Sequence, residues 1–378
     1  MLRLMTLDQL PTPCAVVDLD RLERNAAAMS QQARRLGVRL RPHVKTHKCV
    51  EAARLQTSGH GGAITVSTLA EARAFAAAGF ADIAWAVPVA LDRLDECAEL
   101  VRRTARFMLL VDHPLAVAGL DSFAAAHGLR FEVLLEVDCG LHRSGVNPGD
   151  PAAIGLAASI DAAPHLELAG ILTHAGQSYR CRNRAEAAGV ARHERDVMTA
   201  FADRLRAAGI AVDEISVGST PTVIAAEDLS GVTEVRPGNY LFFDAFQAGI
   251  GSCRVDEVAF SVLATVLGVY PERRELVVNA GALALSKDPG PIHVDPGCGF
   301  GVVVDPGDQH PIAGLRVVSL SQEHGVIRSG RPLDPSWQPG RRVRILPDHS
   351  CLAAACFDRF HVVRGPEIVD EWRPVRGW

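Results

Sequence analysis

Residues able to do chemistry stand at the ends of short apolar runs. Lys45 lies in RPHVKTHK among His43, His47 and Lys48. Like charge depresses a lysine pKa, which suits Schiff-base chemistry with a carbonyl compound. Taken alone, the segment reads as a solvated basic loop. EVDCGLHRSGV carries His142 and Arg143, and ILTHAGQSY places His174 directly after an apolar run, followed by Gln177 and Tyr179. In SVGSTPT, Gly218, Ser219 and Thr220 offer backbone N–H groups and hydroxyls suited to a phosphate. The same triplet also makes an ordinary helix cap. EVRPGNYLFFD adds Arg236 and a second exposed-backbone turn at Gly238 and Asn239. RVRILPDHSC spaces His349 and Cys351 two apart after a strand stopped by Pro347. In an extended segment that spacing puts both side chains on one face. Imidazole plus thiolate favours zinc, but a bare HxC also describes a buried cysteine beside a capped histidine.

The elements that must position these residues follow a rhythm. Short β-branched runs at 38–44, 63–66, 82–86, 106–111, 130–137, 166–172, 214–217 and 233–235 alternate with Ala-rich stretches such as 71–78, 90–103, 114–126 and 185–207. This predicts an α/β fold with eight βα units, a (β/α)8 TIM-type barrel over 19–258. A doubly wound open sheet is the alternative, but no GxGxxG turn follows an early strand. Lys45, Arg143, His174, Ser219 and Arg236 then fall at successive strand ends, where barrels of this type place function. A strand at 14–18 and a helix from about 22 to 36 precede the first barrel strand. From 261 onward the pattern turns to strand and turn, predicting a smaller β domain over 259–378 that holds the His349/Cys351 pair and is joined by strand 1–18.

Composition excludes several classes. The formal net charge of -5 gives no basic footprint for nucleic acid or an anionic membrane surface. No apolar run approaches the ~20 residues needed to span a bilayer, and the start of the chain lacks the pattern of a secretory signal. The nine cysteines are odd in number and form no CxxC pair, so a reducing cytoplasm is expected rather than a disulfide framework.

Together, PHVKTHK, DCGLHRSGV, LTHAGQSY, SVGSTPT, RPGNY and LSQEHG resemble the fold-type III pyridoxal-phosphate enzymes, whose barrel is shared with alanine racemase. Within them the chain is most similar to the D-threonine aldolase and D-serine dehydratase branch, from about Thr12 to Trp378. The resemblance implies pyridoxal 5′-phosphate carried on Lys45, with Ser219, Thr220 and the Gly218, Gly238 and Asn239 backbone around its phosphate. It puts His174 beside the ring, with Gln177 and Tyr179 nearby, Arg236 at the pyridine nitrogen and Arg143 at the phenolic oxygen. It turns the HxC into a zinc site, with manganese as the alternative metal and Asp348 or the His43/His47 pair as further ligands. It also implies a small D-amino acid substrate and a homodimer. The role of Glu323 and His324 stays open, Cys356 reads as core and His60 as a loop residue.

The reaction expected is elimination of water from D-serine or D-threo-3-hydroxyaspartate, giving a 2-oxo acid and ammonia. Lys45 removes the α-proton, and the metal assists departure of the β-hydroxyl as a Lewis acid. The alternative is retro-aldol cleavage to glycine and an aldehyde; aldolase members carry a carboxylate where Cys351 stands here. A racemase needs a second base and has no use for a metal. A non-catalytic pyridoxal-phosphate carrier would be indifferent to removal of zinc.

Overall fold

A computed structural model describes residues 6–378; the first five residues of the expected N-terminal strand segment lie outside the described residues. In chain order the elements are β1 (Cys14–Asp18), α1 (Leu19–Leu36), β2 (Arg39–Leu40), α2 (Val50–Thr57), β3 (Ile64–Val66), α3 (Leu69–Ala77), β4 (Asp82–Pro88), α4 (Leu94–Arg103) and β5 (Arg106–Val111). There follow α5 (Pro114–His127), β6 (Phe131–Glu136), α6 (Pro151–Asp161), β7 (Leu166–Leu172), α7 (Arg184–Ala207), β8 (Glu214–Val217), α8 (Thr220–Ala225), β9 (Glu234–Val235) and α9 (Ala245–Gly249). The rest comprises β10 (Phe260–Tyr270), β11 (Glu275–Val278), α10 (Ala282–Leu285), β12 (Val302–Val304), β13 (Pro311–Leu320), β14 (Gly325–Ser329), β15 (Arg342–Leu346), α11 (Ser350–Ala355), β16 (Phe360–Arg364) and β17 (Glu367–Trp372).

The chain divides into two compact units, one of Ala28–Gly238 with Val375–Trp378, the other of the segment ending at Ala27 with Asn239–Pro374. In the first, eight parallel strands run in the order β2-β9-β8-β7-β6-β5-β4-β3. A parallel bridge between His43 and Thr65 joins the end of β2 to β3 and completes the ring of a TIM-type barrel. The expected strand at 38–44 is regular only over Arg39–Leu40, because Pro42 has no N–H to donate. Its pairing continues through Arg41 N to Val235 O and His43 N to Pro237 O, both 3.0 Å.

Strands read as unbroken apolar runs, as parallel strands buried on both faces must. Ala84, Met108, Leu110, Leu134, Ala169 and Leu172 pack into one cluster from β4, β5, β6 and β7. The helices begin where short polar side chains cap them. Thr68 accepts from Glu71 N, Asn183 from Glu186 N, and Asp150 from Ala152 N ahead of Pro151. Just past β2, Arg41 is fully buried and reaches the first residues of β9 and β4, with Nε 2.8 Å from Glu234 and Nη1 2.6 Å from Asp82. Arg106 pairs with Glu132 and Glu214 in the same layer. This closes the barrel floor with compensated charge, on the face that serves stability rather than chemistry.

The second unit is one nine-stranded sheet in the order β11-β14-β13-β12-β15-β10-β1-β16-β17. An additional β11–β10 pairing closes its first strands into a small antiparallel barrel. β1 lies between β10, antiparallel, and β16, parallel. This unit is not pure strand and turn: three short helices, α9, α10 and α11, interrupt it.

Candidate active site

Five loops at the C-terminal ends of the barrel strands carry the candidate residues. Lys45 is the middle residue of a 3-10 turn, Val44–Thr46, capped by His43, whose Nδ1 accepts from Lys45 N at 3.4 Å. Its side chain is exposed between buried neighbours. The neighbouring imidazoles do not supply the like charge expected around it. His43 is buried, and burial, then Lys45 and Arg236, hold its pKa well below the ordinary value. Burial likewise pushes His47 down to about 4; its ring bonds Gln56 at 2.8 Å and the Cys49 amide at 3.0 Å. Lys48 is neutralised by Glu71 at 2.9 Å.

His174 follows β7, and burial, then Lys45, Arg236 and Arg143, bring its pKa down to about 3. It is therefore a neutral ring among three cations. Arg236, after β9, is buried, and that burial lowers its pKa against the opposing fields of Glu234, Glu194 and Glu136. Its Nε donates to Ser216 Oγ at 2.8 Å, that hydroxyl donates to Glu234 at 2.8 Å, and the guanidinium also reaches Thr173 O. Glu136, at the end of β6, accepts from Ser144 Oγ at 2.9 Å, and its other oxygen is buried without a partner. Burial raises its pKa against Arg143 and Arg236. Arg143 itself is exposed, and the neighbouring His142 pairs with Asp138 at 2.7 Å. The fold thus brings Lys45, Arg143, His174 and Arg236 into one electrostatic field.

The turn after β8 differs from a simple row of free amides. Gly218 N donates to Glu194 at 2.8 Å and Ser219 N to Thr222 Oγ1 at 2.9 Å, so both amides are used within the protein. The hydroxyls of Ser219 and Thr220 are buried, and Ser219 Oγ lies 2.8 Å from Ser178 Oγ in the loop after β7. Gly218 has φ +113, and a Cβ there would meet Val223 at 2.8 Å. A Cβ on Gly238 would meet His43 O at 2.7 Å, so this glycine lets two backbones approach. Gln177 donates to Cys139 O at 3.0 Å and its amide oxygen is buried without a partner; Tyr179 lies half-buried in the same turn. A lysine, buried hydroxyls and two glycines with no room for a side chain fit pyridoxal phosphate. Glu194, fully buried in α7, had gone unnoticed. Its signal was a carboxylate inside the otherwise apolar stripe Ala187, Ala191, Met198, Phe201 and Leu205.

Asn239 belongs to the second unit by packing. Its side-chain amide donates to Asp244 at 2.8 Å and Ser350 Oγ at 3.0 Å, and lies 3.8 Å from Cys351 Sγ. His349 and Cys351 do not meet across an extended segment. His349 caps α11 and Cys351 is that helix's second residue, so a strand-to-helix corner brings them together. Burial disfavours the His349 cation, but the Cys351 hydrogen bond, Asp244 and Asp288 outweigh it and lift its pKa to about 10. Asp288 bonds His349 Nδ1 at 2.6 Å. Asp348 is buried, its pKa pushed up to about 8 by burial and then by Asp244. Among the described residues no group of three or more His, Cys, Asp or Glu is spaced to hold a metal. The imidazole–thiol pair nonetheless has the donor chemistry of a zinc site with open positions. Cys356 is exposed at the end of α11, not in the core, and His60 bonds Ser30 at 2.6 Å.

Comparison with known proteins agrees across the whole chain. The family described as "Alanine racemase, N-terminal domain" matches residues 17–245, and "Putative serine dehydratase domain" matches 259–363. D-threo-3-hydroxyaspartate dehydratase from Delftia sp. is 40% identical, covering 99% of both chains. D-serine dehydratase from Dictyostelium discoideum is 34% identical over 98% of both, and D-threonine aldolase from Arthrobacter sp. 31% identical over 97% and 92%. The solved structure of the Delftia dehydratase superposes with a TM-score of 0.94 at 39% identity, covering 99% of this chain and 100% of that one. Histidine-to-alanine and cysteine-to-alanine variants of that dehydratase, two positions apart, have also been solved, the second in a metal-free form.

Proposed function

Because the chain belongs to the D-threonine aldolase and D-serine dehydratase family of fold-type III pyridoxal-phosphate lyases, we propose that it removes water from a small D-3-hydroxy amino acid, D-serine or D-threo-3-hydroxyaspartate. The products are a 2-oxo acid and ammonia. The observation that carries the choice of reaction is the His349–Cys351 contact, with a thiol where the aldolases carry a carboxylate.

Pyridoxal phosphate, when bound, supplies an electron sink for charge developing at the substrate α-carbon. Lys45 Nζ holds the cofactor and takes the α-proton. Ser219 and Thr220 would hold the phosphate, while Gly218 and Gly238 leave room for the backbone paths around it; Asn239 would contribute through its backbone amide. Neutral His174 packs beside the ring with Gln177 and Tyr179 close by, and Arg143 offers its charge to the phenolic oxygen. Arg236 is assigned to the ring nitrogen. A guanidinium partner there would favour an unprotonated nitrogen and a weaker sink, which a second electrophile would offset. His349 and Cys351 would hold a divalent metal, proposed as zinc, which would supply Lewis acidity for the β-hydroxyl. The metal-free variant of the Delftia dehydratase supports a metal role for the pair. An odd count of nine cysteines without a CxxC pair supports a cytoplasmic location. A homodimer is part of the same reading, to be checked by light scattering.

The test is incubation of purified, zinc-loaded protein with D-serine, D-threo-3-hydroxyaspartate and D-threonine, with ammonia and glycine measured together. Ammonia with an equimolar 2-oxo acid, lost on chelation and restored by zinc, is the expected result. Glycine without ammonia would establish the aldolase reading instead.

A further inference from the structure

The loops after β7 and β8 are tied together twice. Ser178 and Ser219 join them by hydroxyl contact, and a single carboxylate oxygen of Glu194 accepts both Ala175 N at 3.2 Å and Gly218 N at 2.8 Å. A buried carboxylate is costly unless hydrogen bonds compensate it, and this one takes both of these bonds one residue from the hydroxyls assigned to the phosphate. We propose that Glu194 is a positioning residue for the cofactor phosphate, holding the His174 and Ser219 loops at a fixed spacing and coupling phosphate binding to its own protonation. The proposal rests on the pyridoxal-phosphate reading above.

The electrostatics support it. Burial raises the Glu194 pKa to about 7, against the lowering effects of Gly218 N, Arg236, Thr222 and Ala175 N. A further titratable group facing it is the Cys139 thiol, itself pushed up to about 11 by burial and by Glu194. Arg236 is a cation acting on it, and it is shared with Glu234 and Glu136. An incoming phosphate dianion disfavours the Glu194 carboxylate, so binding draws a proton onto it. Phosphate should then be held less tightly as pH rises through about 7.

The experiment compares affinity of the apoprotein for pyridoxal phosphate and for pyridoxal, which differ only in the phosphate, from pH 6.5 to 8.5. In the wild type the preference for the phosphorylated form should fall roughly tenfold across this range, the size of one pK unit of coupling. Glu194→Gln keeps the acceptor oxygen for both amides but not the titration, so its preference should stay flat. Glu194→Ala removes the tie and should lower the preference at every pH, the phosphorylated form losing more affinity than pyridoxal. The same slope in wild type and Glu194→Gln overturns the proposal, as does equal loss of both ligands in Glu194→Ala, which marks a general packing role. A wild type that takes up neither ligand overturns the cofactor reading itself.

Discussion

Replacing Gly238 by alanine tests whether backbone approach sets the position of Lys45. The added Cβ would lie 2.7 Å from His43 O and 2.9 Å from His43 Cβ, about 0.7 Å inside ordinary contact at the first. Neither partner is the end of a flexible side chain. His43 is buried, its N–H is bonded to Pro237 O at 3.0 Å, and its ring accepts from Lys45 N. Relief therefore shifts the turn that carries the lysine. Overpacking of this kind costs about 1–3 kcal/mol, and a displacement approaching 1 Å at a reacting group costs on the order of a hundredfold in rate. Urea denaturation and ammonia release from D-serine measure the two effects. Gly155→Ala is the control: it lies exposed in α6 with nothing within 4 Å of its would-be Cβ and should stabilise by about 0.8–1 kcal/mol through helix propensity. If Gly238→Ala matched wild type in both assays, the argument from close approach would be refuted.

Other expectations concern charge and metal. Arg41→Ala should lower stability by roughly 3–5 kcal/mol, since it strands the buried Glu234 carboxylate; adding Glu234→Gln should recover part of the loss, and a cost under about 1 kcal/mol in urea melts contradicts the floor assignment. Asp288→Asn should weaken metal binding about 10–100-fold in chelator competition, because Asp288 orients His349 Nδ1; unchanged affinity removes Asp288 from that role. Glu194 rises from its ordinary 4.5 to about 7, so its contribution to stability is complete below the unfolded value and is lost as pH climbs through the folded one. The apoprotein should lose on the order of 3 kcal/mol between pH 4.5 and 8 from this group, and Glu194→Gln should remove that slope; parallel curves for the two proteins would contradict it.

Periodicity made most of the barrel legible. The runs at 106–111, 166–172 and 214–217 are strands over those same residues, because parallel strands buried on both faces are apolar throughout. Helix α6 was less visible, since PAAIGLAASID is apolar and small nearly all round, with little contrast between its faces. The HxC pair was found by its donor types, yet the geometry assumed for it was wrong. Pro347 ends β15, but only the fold shows that a helix starts at Ser350 and turns Cys351 toward His349.

By itself the sequence determined which groups are available: a lysine, two hydroxyls, arginines and a histidine at strand ends, and an imidazole–thiol pair beyond them. These follow from local order, because a strand end is marked by where its apolar run stops. The protonation states belonged to tertiary structure alone. His43 and His47 look like cations beside Lys45 in the sequence, and burial makes both neutral. Glu194 looks like an ordinary surface charge on a long helix, and packing buries it against two backbone amides from loops distant in the chain. Desolvation depends on what surrounds a group in space, and residues far apart in sequence supply those surroundings.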